Sequence, residues 1–276
     1  MAARQVTLTF RGVRGSMPVF GPTTEKYGGR TLCIDIDAEP GLRVIIDGGT
    51  GINALAQDLE IPPEGIDFHV FLTHYHWDHL QGILFFPPLY DERNRFTFYG
   101  HSWNGMGVRE AIEGALRPPW FPVSIFETAA AKTFVDVANA PFKIGSLTID
   151  AAALHHPQGV TAYRITNDGH TVVLATDYER GEPTSDETLR TFAARVDVLI
   201  HDAQYTPDEY PSLYVGWGHS TGHHAVEAAR ESGARRLVLV SHDPHRSDEE
   251  IDAIVASARK EFPATEAAFE GMRIEF

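Results

Sequence analysis

Cysteine is nearly absent from this sequence. Cys33 is the only one, so no intrachain disulfide can form. It sits in the apolar run 31–36 and reads as a buried strand residue rather than a nucleophile. Long apolar runs are missing too. None approaches the roughly 18 residues that a membrane span needs. Residues 1–10 hold no stretch long enough for a signal peptide, so a cytosolic location without membrane attachment is the default expectation. Basic residues are scarce: 23 Lys and Arg face 38 Asp and Glu, a formal charge of −15. An acidic surface repels polyanions, which argues against a large nucleic acid partner held through its phosphates. Internal repeats, low-complexity tracts and Pro/Ser-rich linkers are also lacking. A single domain over 1–276 is therefore expected, and a chain of that length can bury a substantial core.

What is present is histidine, 14 in all, set in a chain of ordinary apolar content. Period-two patterns predict strands over 6–10, 31–37 and 42–47, the last two joined as a hairpin across 39–41. Further strands are read over 68–73, 96–99, 133–137, 147–152, 161–165, 171–175, 196–200 and 236–240. Helical patterns cover 51–59, 109–116, 187–194, 223–231 and 248–260. A mixed, sheet-on-sheet core with outer helices fits this order.

The chemistry concentrates in His74-Tyr75-His76-Trp77-Asp78-His79, directly after a predicted strand. Residues two apart in extended chain point the same way, so His74 and His76 can grip one ion together. If the chain then turns, Asp78 and His79 can face a second ion. Imidazole and carboxylate suit zinc and related divalent cations.

The pattern His-x-His-x-Asp-His resembles the signature of the metallo-β-lactamase superfamily. Other segments follow in matching order: Asp47-Gly48-Gly49, His156 before Pro157, Asp177 after Thr176, and His242 in Ser241-His242-Asp243. The resemblance spans about 10–248. It implies an α+β fold, a four-layer αββα sandwich with metals at one sheet edge. By that resemblance His74, His76 and His156 hold one metal, and Asp78, His79 and His242 the other. Asp177 bridges them and a shared hydroxide completes the set. His156 is preferred over His155 because it directly precedes the proline. Asp47 is either a supporting residue behind the ligands or a plain turn aspartate.

His219-Ser220-Thr221 resembles a motif of the phosphodiesterase branch, which includes ribonuclease Z. There the histidine sits beside the metals and assists phosphate chemistry. Ser220 or Thr221 would also cap the following helix. The opening segments 10–18 and 27–31 resemble a bacterial subgroup of that branch. Arg14 or Arg30 could clamp a phosphate, or each could be an ordinary structural arginine. His201, Asp202, Tyr205, Tyr214 and His245 adjoin the motifs; Asp202 is a candidate to orient a ligand histidine. His69, His101, His170, His223 and His224 read as structural.

These features lead to the expectation of a dinuclear metal-dependent phosphodiesterase acting on a small or cyclic, nucleotide-like phosphodiester. Asp78 and His219 are the expected catalytic residues, one accepting the water's proton and one serving the leaving oxygen. Zinc is the default ion pair, and manganese or iron would also suit the donors. The Gly-rich basic arm with which ribonuclease Z grips tRNA has no counterpart here. Rival readings are hydrolysis of a lactone, thioester or β-lactam, a nucleotide-binding sensor with little turnover, and an RNA-processing nuclease. The oligomeric state is left open, a homo-oligomer included.

Overall fold

Branched and aromatic residues favour the pleated, half-buried surface of a sheet, and among the described residues they build fourteen strands. The computed structural model describes residues 6–138 and 140–276. In chain order the strands are β1 (Thr7–Gly12), β2 (Cys33–Glu39), β3 (Leu42–Ile46), β4 (Asp67–Phe71), β5 (Arg95–Gly100), β6 (Ala131–Asp136) and β7 (Phe142–Ile144). They continue as β8 (Leu147–Leu154), β9 (Val160–Asn167), β10 (His170–Ala175), β11 (Val198–Asp202), β12 (Arg236–Val240), β13 (Thr265–Ala267) and β14 (Arg273–Glu275). The helices are α1 (Ile52–Asp58), α2 (Val108–Ala115), α3 (Pro183–Phe192), α4 (Tyr210–Leu213), α5 (Gly222–Ser232) and α6 (Asp248–Glu261).

Two seven-stranded sheets result, ordered β14-β1-β2-β3-β4-β5-β6 and β13-β12-β11-β10-β9-β8-β7. Alternation along β10 shows how they stack. Val172 and Leu174 join Phe71, Tyr163, Ile200 and Val238 between the sheets. Val173 and Ala175 face outward against Leu189 of α3, Val226 of α5 and Val255 of α6. On the other side Ile45, Val70 and Phe98 pack against Ile52 and Leu55 of α1 and Ile112 of α2. The layers are therefore αββα, as expected. No helix among the described residues is long and apolar enough to cross a membrane.

Strand direction decides where chemistry can gather. β3 to β6 run parallel, as do β10 to β13. β9 is antiparallel to both neighbours, so β8 runs with β10. The carboxyl ends of β3, β4, β8, β10, β11 and β12 consequently share one edge of the sandwich, the usual place for ligands in such sheets.

Three edge strands, β7, β13 and β14, were not expected, because three residues are too few for a period to register. Helix α3 starts at Pro183, four residues before the predicted 187. The Glu182 carboxylate accepts the Thr184 and Ser185 amides and caps it, a role more usual for shorter side chains.

Phe71 anchors the inter-sheet core next to the site, stacked on Tyr99 at 4.1 Å and edge-on to Tyr163 at 5.4 Å. Phe71→Ala is expected to lower unfolding free energy by about 3–5 kcal/mol. Urea denaturation would measure this, and a loss under about 1 kcal/mol would contradict the packing described.

Candidate metal centre

Each strand end delivers one part of the centre. After β4 the chain passes His74 and His76 and tightens into a single 3-10 turn, Trp77–His79. That turn swings Asp78 and His79 inward, and both are buried. Asp47, Asp177 and Ser241, just beyond β3, β10 and β12, all have left-handed backbones, with φ of 61°, 49° and 60°. Such geometry costs on the order of 1 kcal/mol or more for a residue with a Cβ. Here it bends each side chain out of the sheet and toward the shared edge.

The nitrogen atoms of His74, His76 and His156 lie within 4.8 Å of one another, as do the donor atoms of His74, His79 and Asp177. Outer partners fix which nitrogen faces inward. Thr73 donates its hydroxyl to Asp47 at 2.8 Å, so its oxygen can accept from His74 Nδ1 at 3.1 Å. That leaves His74 Nε2 buried with no hydrogen-bond partner, 3.8 Å from Asp177 Oδ2. His76 Nε2 donates to the Gln158 side-chain amide oxygen at 2.5 Å, and His156 Nδ1 donates to the Gly218 backbone carbonyl at 2.8 Å. The remaining lone pairs, His76 Nδ1 and His156 Nε2, then face each other at 3.1 Å. Two lone pairs so close repel unless a proton or a metal ion lies between them. The residues present therefore fit a divalent metal ion at this position.

The charges agree. Burial drives His156 down to about 4, against a smaller opposing pull from Asp177. Burial and neighbouring imidazoles hold His74 well below the usual range. Both are neutral donors at physiological pH. Burial also opposes a charge on His79, but Asp78, Asp177 and Asp47 together raise it well above its ordinary value. Three carboxylates around one imidazole need a positive charge, which a proton or a metal ion can supply. Asp177 is held well below the carboxylate range despite burial, chiefly by His79 and His219.

His219 lies at the opposite wall. Its Nδ1 donates to Asp202 Oδ2 at 2.8 Å, and its Nε2 is 3.9 Å from Asp177 Oδ2. Burial lowers its basicity, but Asp202 and then Asp177 outweigh that and raise it to about 9. Asp202 also accepts the Ser220 amide at 2.7 Å. Thr221, not Ser220, caps α5, while the Ser220 hydroxyl donates to the Tyr178 carbonyl.

His242 is the exception among the expected ligands. Its Nε2 donates to the Ala268 carbonyl at 2.9 Å, its ring meets Tyr27 edge-on at 5.6 Å, and the charges it feels are those of Arg14, Asp248 and Arg246. The cause is local. Residues 13–15 pair with residue 242 as a short strand extension, through His242 N to Val13 O at 3.0 Å and Gly15 N to His242 O at 3.1 Å. Side chains alternate along extended chain, so it is Ser241 that faces the cluster. Its hydroxyl donates to Asp177 Oδ1 at 3.2 Å and lies 2.5 Å from Thr176 Oγ1.

The remaining candidates sort cleanly. Arg14 is fully buried and donates to the carbonyls of Gly28, Asp243 and Arg246, so it ties loops together rather than facing the centre. Arg30 pairs with Glu270, and His245 and His155 are exposed. Tyr205 stacks on Tyr214 at 4.0 Å and meets His219 edge-on. His201 is buried against Tyr178. Sequence reasoning missed Gln158, Thr73 and Ser16, whose amide donates to Asp78 Oδ2 at 2.8 Å. It also missed Glu179, which accepts the Gly216 and Gly218 amides and so fixes the carbonyl that orients His156. These are backbone-mediated or single-residue roles with no motif of their own.

Residues 42–242 match the beta-lactamase superfamily domain family. The chain is 25% identical to ribonuclease BN of Erwinia tasmaniensis, covering 86% of this chain and 91% of that one. It is 29% identical to the probable metallo-hydrolase YhfI of Bacillus subtilis over 67% of this chain and 69% of the relative. The crystal structure of YhfI superposes with a TM-score of 0.74 at 22% identity, covering 99% of each chain. A diphosphatase from the PhnP family superposes at 0.71 with 17% identity, covering 99% of this chain and 98% of that one. The chain belongs to the metallo-β-lactamase superfamily, and it is a metal-dependent hydrolase of that class.

Elemental analysis can check the ligand geometry. His242→Ala is expected to keep the wild-type metal content, whereas Asp177→Ala, which removes the carboxylate beside His74 and His79, should lose more than half of it at unchanged far-UV circular dichroism. Metal loss on His242→Ala would contradict the orientation described.

Proposed function

We propose that this protein is a phosphodiesterase with two divalent metal positions, acting on a small or cyclic, nucleotide-like phosphodiester. The observation that carries the reading is His219. Asp202 holds its ring, its Nε2 points at the carboxylate shared by the centre, and its neighbours favour the protonated form. A histidine so placed suits proton donation to a leaving alkoxide, a demand of phosphodiester cleavage. Divalent ions held by the His74, His76, His156, His79 and Asp177 donors, with zinc first among those the nitrogens suit, would supply charge neutralisation at phosphorus and acidify the attacking water. Asp78, held by the Ser16 amide, is the candidate to accept the attacking water's proton. His79 keeps its orientation through Asp47 at 2.8 Å.

Substrate size follows from the space beside these residues. A pocket of about 350 Å³ adjoins His74 and His76, lined by Tyr75, Trp103, Asn104, Met106, Gln158 and Gly159. That is at the small end of ligand pockets, roughly 300–1,000 Å³. Its wall is aromatic, and Trp103 Nε1 is a buried donor with no partner in the protein. A planar group stacked on that wall suits it. The pocket and the charge of −15 favour a small phosphodiester over tRNA, although relatives include ribonucleases.

The test is an activity panel of bis-nitrophenyl phosphate, cyclic nucleotides, a precursor tRNA, a lactone and a chromogenic β-lactam. Turnover of the small phosphodiesters is expected. Turnover confined to the carbonyl substrates would refute the reading, and turnover confined to the tRNA would move it to RNA processing.

His219→Ala sharpens the mechanism. Loss of a general acid costs roughly 10²–10⁴-fold in rate. A nitrophenolate leaves with little protonation, whereas a ribose alkoxide needs the proton. The variant should therefore lose far more activity on a cyclic nucleotide than on a nitrophenyl ester. Equal losses on both would refute the acid role.

A further inference from the structure

The chain has four tryptophans, and three of them adjoin the centre. Trp77 stands between His76 and Asp78, Trp103 lines the pocket beside His74 and His76, and Trp217 precedes Gly218, whose carbonyl holds His156. Trp103 and Trp217 belong to different walls. The Trp103 wall is built by a tight hairpin on the side of His74 and His76. Trp103 and Met106 exchange backbone hydrogen bonds at 3.1 and 2.9 Å across Asn104 and Gly105, whose φ values of 51° and 80° suit a type I′ turn. The indole tilts on His101 at 4.4 Å, and a Cβ at Gly159 would come within 2.3 Å of it, so glycine is what lets it lie there. The other wall is that of Asp177, Asp202 and His219, whose donor atoms also lie within 4.8 Å of one another. Tyr205 meets His219 edge-on at 5.9 Å, Tyr214 stacks on Tyr205 at 4.0 Å, and Trp217 meets Tyr214 edge-on at 5.6 Å. Glu179 accepts the amides on either side of Trp217, those of Gly216 and Gly218, at 2.6 and 2.7 Å. The backbone under Trp217 is thereby fixed, yet the residue is 62% exposed. An exposed indole on a fixed backbone is a surface on which a base can stack.

We infer that the substrate is a dinucleotide joined by a single phosphodiester, with the retained nucleoside in the Trp103 pocket and the leaving nucleoside stacked on Trp217. The assignment of sides follows from His219. Water bonds to phosphorus, the bond from phosphorus to the leaving oxygen breaks, Asp78 takes the water's proton and His219 gives one to that oxygen. The leaving group therefore lies on the His219 wall, where Trp217 stands, and the group that keeps the phosphate lies on the His76 wall. A pocket of about 350 Å³ is at the small end for a ligand, so it suits one nucleoside and the second base needs a platform outside it. Charge limits the length. A dinucleoside phosphate brings one negative charge, and that charge meets the centre. Every further phosphate would lie outside it, against a chain of formal charge −15. The inference rests on the phosphodiesterase reading above and narrows its substrate.

Steady-state kinetics of the metal-loaded full chain test it, with adenylyl-adenosine as the probe. Product analysis shows which oxygen leaves. The comparator is the adenosine methyl phosphodiester that carries methanol in place of the leaving nucleoside. Trp217→Ala should raise KM for adenylyl-adenosine by roughly 5–100-fold, the range of one base stack. The preference for adenylyl-adenosine over the methyl ester should fall by the same factor, and Trp217→Phe should restore most of it. The loss should appear in KM rather than kcat, because a platform binds ground state and transition state alike, whereas damage to the loop that holds His156 and His219 would lower kcat. Binding gives a second readout. In metal-free protein, which cannot turn the probe over, adenylyl-adenosine should quench tryptophan fluorescence, and Trp217→Ala should remove part of that quench. An unchanged preference in Trp217→Ala, a loss confined to kcat, or no quench in the wild type overturns the inference. So does a longer oligonucleotide cleaved in preference to adenylyl-adenosine. Turnover of cyclic nucleotides with adenylyl-adenosine inert sinks the inference alone, whereas no turnover of any phosphodiester sinks the functional reading and the inference with it.

Discussion

Everything at the carboxyl edge of this sandwich depends on imidazole lone pairs and carboxylates being held close together. His76 Nδ1 and His156 Nε2 face each other at 3.1 Å, and His79 sits among Asp47, Asp78 and Asp177. Such a cluster is unfavourable on its own, because burial removes the solvent that would screen it. A divalent cation turns each of those repulsions into an attraction, and binding to the folded state alone then stabilises the fold. Thr73, Asp47, Gln158 and the Gly218 carbonyl all serve to keep the correct nitrogen of each ring turned inward.

The backbone makes that convergence achievable. Parallel strands bring Asp47, His74, Asp177, Asp202 and Ser241 to one edge, and left-handed φ values at Asp47, Asp177 and Ser241 turn three of them toward the centre. The inter-sheet core around Phe71 and Tyr163 is what makes this frame rigid. The same economy explains the departure at β12. With residues 13–15 paired against His242, one residue of alternation separates an inward from an outward side chain, and serine received the inward place.

Much of this was legible in the sequence. Each long strand and helix carried its period, and the His74 to His79 run, with His156 and Asp177, marked the edge where ligands collect. His219 and Asp202 were also marked as neighbours of that edge, and the structure brings them into hydrogen-bond contact. What stayed hidden depends on contacts between distant segments. Whether 241 or 242 faces inward is set by pairing with residues 13–15, more than two hundred positions away in the chain. Gln158 and Glu179 act through single hydrogen bonds to a ring and to two amides, which leave no pattern in sequence. Arg14 stayed open between a phosphate-clamping and a structural role, because the motif around it does not reveal that three carbonyls already surround it.

The central claim is that a cation sits among His74, His76, His156 and Asp177. Anomalous diffraction at the zinc edge, from crystals grown with zinc, tests it most directly. The account predicts a strong peak within coordination distance of His74 Nε2, His76 Nδ1, His156 Nε2 and an Asp177 carboxylate oxygen, with His242 still bonded to the Ala268 carbonyl. Crystals with zinc elsewhere, or with no peak among those three rings, would contradict it.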